Sequence, residues 1–113
     1  MKNIINLTPH AVVLLDSSGN VTRRIEPAPH AARVSSTVRT VGEVDGIPVT
    51  ETTFGEVEGL PGPQEGTIYI VSLLVMQQVA HTRTDTYRPD TGPQSVVRDA
   101  KGVIVGVRAL TRS

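Results

Sequence analysis

The chain has no cysteine and no tryptophan, and its only aromatics are Phe54, Tyr69 and Tyr87. Without cysteine there are no disulfides, no thiolate nucleophile and no Cys-ligated zinc, which fits a reducing compartment. With so few aromatic rings, a core must be filled by Val, Ile, Leu and Ala. Charge of either sign is also lacking in excess: 11 Lys and Arg balance 11 Asp and Glu. No overall field then draws the protein to nucleic acid or an anionic membrane. Long apolar runs are missing too, since the best stretch, 68–76, contains Tyr69 and Ser72 and is far shorter than a membrane helix. Met1-Lys2-Asn3 leads only into Ile4-Ile5, which is not a signal-peptide pattern. The expected address is the cytoplasm.

The 113 residues match one domain, 1–113, and no linker-like tract divides them. Recurrent valine, stiff at χ1, favours sheet. A domain this small buries proportionally little of its surface, so a homo-oligomer is expected.

The expected fold class is mainly β (α+β): a small antiparallel sheet or barrel-like domain of hairpins with one short helix near 72–80. Ala11 to Leu15 and Val21 to Ile25 flank the turn Asp16 to Asn20 as a hairpin. Pro27 and Pro29 break the ladder, because proline lacks a donor, and the chain can restart at Ala32-Arg33-Val34. Asp45-Gly46 between Val38–Val44 and Ile47–Phe54 predicts a two-residue type I′ turn, whose central residues both need positive φ. Pro48 implies a free edge or bulge there. The echo of 42–48 in 55–61 reads as repeated turn chemistry, because two copies cannot build a solenoid. Thr67 to Val71 is the most apolar strand and is expected to be central. Ser72 is placed to cap a helix whose apolar set is Leu73, Met76, Val79 and Ala80. An exposed-looking polar stretch, 81–93, follows. A closing hairpin then joins 95–99 to 103–107 through Ala100-Lys101-Gly102.

Catalytic motifs are scarce. His10, His30 and His81 have no ligand spacing, Ser72 lacks the small neighbours of a nucleophile elbow, and Gly19 and Gly102 stand alone in turns. The reading is therefore not an enzyme, with no cofactor and no metal. Arginine stands out, at nine of the 11 basic residues. Guanidinium binds phosphate or carboxylate through a flat fork, although a GC-rich genome produces the same bias. In extended chain Arg83, Asp85 and Tyr87 would share a face. Arg83 could then hold a phosphate, Asp85 a sugar hydroxyl or base edge, and Tyr87 a base face. Arg88, Arg39 and Arg98 are possible further cations. The alternative for this segment is a solvated edge strand or loop with a surface ion pair.

Asn6-Leu7-Thr8-Pro9-His10, the block from Gly55-Glu56-Val57 to Gly59-Leu60-Pro61, the strand Gly66 to Ser72, Arg83 with Asp85, Val97-Arg98-Asp99 and Gly106-Val107 together resemble a family of small phage and prophage accessory proteins. That resemblance implies a viral product acting in the bacterial cytoplasm. By analogy of size and origin, it implies a non-enzymatic sponge that sequesters a small nucleotide immune signal. The other reading is a protein that binds a protein partner through an exposed sheet edge, with 81–93 as its contact.

Overall fold

The computed structural model describes residues 3–112. In chain order the elements are β1 (Asn3–Asn6), β2 (Val12–Leu15), β3 (Val21–Ile25), β4 (Arg33–Val44), β5 (Ile47–Glu58), β6 (Thr67–Ile70), α1 (Leu73–Val79), β7 (Thr86–Pro89), β8 (Val96–Arg98), β9 (Ile104–Val107) and β10 (Leu110–Thr111). The protein is mainly β with one short helix, as its valine-rich strands and turn residues predict.

The strands form two four-stranded sheets and a separate ribbon. The first sheet runs β1-β6-β7-β10, and β6 lies inside it as its apolar sequence predicts. The second runs β3-β2-β9-β8, and the ribbon pairs β4 with β5 alone. The expected hairpins β2–β3, β4–β5 and β8–β9 are present and antiparallel, but both four-stranded sheets also contain parallel pairs and neither closes into a barrel. The reason lies in the connections. Hairpin turns could be read locally, but β1∥β6 and β2∥β9 join segments far apart in the chain, and β6∥β7 is reached by a crossover through α1.

Two of the tight turns form as their residues require. Asp45 and Gly46 adopt φ 50° and 79°, the paired positive values of a type I′ turn. Ser72 caps α1, its hydroxyl accepting from the Val75 amide at 3.3 Å. The helix buries Val75 and Met76 and leaves Leu73 and Ala80 exposed, so its inward face is rotated from the expected set. With under two turns of helix, the strand it follows sets the rotation more than its own periodicity. Val75 and Met76 close on Leu7, Ala32, Tyr69 and Val71 in one cluster. Val12, Ile25 and Ile70 form a second, and Ile70 is wholly buried. At roughly 1.5–3 kcal/mol per fully buried aliphatic side chain, these residues carry the fold.

The second sheet needs glycine at one point. A Cβ on Gly106 would lie 2.6 Å from the Val13 carbonyl oxygen and also strike the Leu15 side chain, so β9 can approach β2 only without one.

Candidate functional site

The loop from the end of α1 into β7 is held by its own hydrogen bonds. The Val79 carbonyl accepts from the amides of Thr82 and Arg83, turning the chain back toward the sheet. Residues 84 and 85 are bent and regular strand starts only at Thr86. The alternation that would put Arg83, Asp85 and Tyr87 on one face is therefore not maintained across this segment.

Arg83 and Asp85 do come together, and they bind each other. Arg83 Nε donates to Asp85 Oδ1 and Nη2 to Oδ2, both at 2.9 Å, in a bidentate fork. Nη2 also donates to the Pro61 carbonyl at 2.9 Å, and the guanidinium carbon stands 6.0 Å from the centre of the Tyr69 ring. Only 14% of the Arg83 side chain and 16% of the Asp85 side chain are exposed, so this is not the solvated loop pair of the sequence reading. The hydrogen bond from Arg83 holds the Asp85 carboxyl below its ordinary range against the opposing effect of burial, and Asp85 likewise raises the Arg83 guanidinium. Both carboxylate oxygens of Asp85 are occupied, whereas Nη1 of Arg83 makes no hydrogen bond among the described residues.

The other expected residues are dispersed. Tyr87 lies half-buried on β7, where its carbonyl accepts from the Val71 amide. Arg88, next along the same strand, reaches the Pro89 carbonyl at 3.4 Å. Arg39 stands on the separate ribbon, 70% exposed and 3.8 Å from Glu51, a pair worth little in water. Arg98 closes its own hairpin by donating to the Gly102 carbonyl at 2.8 Å. Strand β7 is flanked by β6 and β10, so this part of 81–93 is not the free edge expected as a protein contact. Pairing with the far C-terminal β10, invisible to local pattern, is what removes that edge.

A different set of residues meets around Arg83. Ala80, Arg83, Thr84, Thr86 and Arg112 line a cleft of about 260 Å³. Thr86 is 1% exposed, and its Oγ1 is buried without a hydrogen-bond partner. Leaving a buried hydroxyl unsatisfied costs about 1–3 kcal/mol, so this atom is the most anomalous polar group described. The two guanidinium-bearing residues are 29 positions apart in sequence and no spacing rule connects them. The only local sign of Thr86 is its place between two polar neighbours in a strand-forming run.

The opening motif proves to be structural. Asn6 is 1% exposed and uses its whole amide: Nδ2 donates to the carbonyls of His10 at 2.8 Å and Ile25 at 3.1 Å, while Oδ1 accepts from the Thr8 amide at 3.0 Å and its hydroxyl at 2.6 Å. This knot ties the β1 exit to the end of β3. His10, His30 and His81 are all exposed, and among the described residues no three His, Asp or Glu side chains cluster as a metal site would. No described helix is long and apolar enough to cross a membrane. Comparisons with protein families, with curated proteins and with solved structures each return no match to this chain.

Proposed function

We propose that the protein is a non-enzymatic binding protein that holds a small phosphate-containing ligand, of the nucleotide class, in the cleft between Arg83 and Arg112. The reading is supported above all by two arginines, Arg83 and Arg112, lining one cleft together with Thr86, whose buried hydroxyl has no partner. A phosphate oxygen would accept from Arg83 Nη1, while Asp85 fixes the plane of the guanidinium and leaves that edge open, and from the Thr86 hydroxyl once a side-chain rotation turns it from its buried position into the cleft. Asp85 thus positions Arg83, each of its oxygens already accepting one hydrogen bond from the guanidinium. Sequestration of a nucleotide immune signal by a phage product in the bacterial cytoplasm is the biological form of this proposal.

The test is calorimetric titration of AMP and of pyrophosphate into the protein and into Thr86→Val and Arg112→Ala variants. Micromolar binding by the wild type is expected, with about a tenfold loss in Thr86→Val and a ten- to hundredfold loss in Arg112→Ala, as for neutral and charge-assisted hydrogen bonds. Failure of both probes to bind, or equal affinity in all three proteins, would overturn the assignment. Mass spectrometry of small molecules released by heat from protein exposed to extract of infected, immune-active cells would then identify the natural ligand. An altered nucleotide among them would point to an enzyme instead.

A further inference from the structure

The β4–β5 ribbon leaves almost all of its surface in water. Every residue from Ser35 to Glu56 is exposed, including Val38 and Val44 at 61% and 59%, Ile47 at 64% and Phe54 at 42%. Val44 is paired with Ile47, and alternate residues of a strand share a face, so Val44, Ile47 and Val49 form one apolar patch at the tip. Val38, opposite Thr52, and Phe54 form another on the reverse face. Both outer edges of the ribbon are unpaired among the described residues. The ribbon also extends the molecule: the radius of gyration is 17.1 Å, against about 13 Å for a compact domain of 100 residues, and the longest dimension is 51 Å. An isolated two-stranded ribbon is marginal in water, and exposed apolar patches of this kind mark a contact surface.

Charge indicates what covers it. Between 33 and 58, Arg33 and Arg39 face Glu43, Asp45, Glu51, Glu56 and Glu58, a net −3; the whole chain is neutral, so the rest carries +3. Part of that positive charge is on the second sheet, where Arg23, Arg24, Arg98, Lys101 and Arg108 are all exposed on or beside β3, β8 and β9 and outnumber Asp16, Glu26 and Asp99 there by two. Along β2 and β9 of that sheet, Val12, Val13, Ile104, Val105 and Val107 line an apolar hollow of about 400 Å³, closed on its other side by His10, Pro89 and Thr91. The protein thus carries an acidic arm with an apolar tip and, elsewhere, an apolar hollow on a sheet of net positive charge.

We propose that the β4–β5 ribbon is an arm that seats its tip in the second-sheet hollow of a second copy of this chain. The proposal stands whether or not the arginine cleft binds a phosphate. Because the chain has no cysteine, single cysteines can report the contact without background. Ile47→Cys and Val105→Cys variants, both at exposed positions, are mixed and oxidised. Cross-links joining one variant to the other should exceed links of either variant to itself, and light scattering at micromolar concentration should give at least twice the monomer mass. Ile47→Asp should raise the dissociation constant at least tenfold with an unchanged circular dichroism spectrum. A monomeric mass at all concentrations would overturn the proposal, as would Ile47→Cys linking only to itself, or an oligomer indifferent to Ile47→Asp.

Discussion

The body and the arm of this protein are built from the same residue types but are held in different ways. In the body, short strands of two to five residues are fixed by what lies over them: Tyr69, Ile70 and Val71 are 1%, 0% and 0% exposed. In the arm, strands of 12 residues are fixed by each other, with only Val34 and Val57, at the base, half-buried. Strand length therefore says little about stability here. A four-residue strand inside a sheet is over-determined by side-chain burial, whereas the long ribbon depends on ladder hydrogen bonds and one turn, which water competes for. The consequence is that single changes should be severe in the body and local in the arm.

The largest effect is expected at Asn6. Asn6→Ala removes four hydrogen bonds and takes the amide donor from the Ile25 carbonyl, the His10 carbonyl keeping only the Thr8 hydroxyl, and should cost about 3 kcal/mol or more, measured by urea denaturation. Asn6→Asp should be no better, because it places an acceptor against those two carbonyls. A variant within 1 kcal/mol of wild type would show that the body is not over-determined at this knot.

Next comes the Arg83–Asp85 fork. Arg83→Ala leaves a mostly buried carboxylate unpaired and should cost about 2–3 kcal/mol at neutral pH, somewhat less than loss from a fully buried pair. The pH dependence has a definite sign. The Asp85 pKa is lowered on folding, so the pair stabilises fully above the ordinary aspartate value near 4 and loses that contribution as pH falls through the lowered one. Denaturation midpoints measured between about pH 6 and 2 should therefore fall more steeply in the wild type than in Asp85→Asn. Parallel curves would make the fork a surface pair despite its burial.

A smaller effect of opposite sign belongs to Thr86. Replacing it by valine, of nearly the same shape, removes an unpartnered buried hydroxyl and should stabilise the free protein by about 1 kcal/mol in thermal melts. Destabilisation would mean that the hydroxyl has a partner in solution, such as an ordered water.

The same contrast explains what could be read from the sequence. The Asp45-Gly46 turn, the Ser72 cap, the hairpins around Gly19 and Gly102 and the interior position of Thr67–Ile70 were legible, because each depends on a few neighbouring residues with strict dihedral or burial demands. The parallel pairings of β1 with β6 and β2 with β9 were not, since nothing local specifies a partner 60 or more residues away. Alternation through 83–87 was misleading because the chain bends before Thr86. An ion pair in the Arg83–Asp85 segment was legible as the alternative reading, but its burial was not, as that depends on Tyr69 and the Pro61 carbonyl. Arg112 joins the cleft only through the return of β10 beside β7.

The smallest effect separates the two regions most cleanly. Asp45 is the one described residue other than glycine with positive φ, at 50°, and aspartate tolerates that region better than alanine does. Asp45→Ala should weaken the turn by roughly 1 kcal/mol, and the strain has no route into the body, because the tip touches neither hydrophobic cluster. Hydrogen exchange should show faster exchange for the ladder amides of 40–51 and unchanged protection for Ile70 and Val71. Asp45→Gly, which accepts positive φ at no steric cost, should restore the arm. If Asp45→Ala also lowered protection around Ile70, arm and body would be one cooperative unit. If the arm amides exchanged at the same rate in both variants, the ladder and not the turn would set the stability of the ribbon.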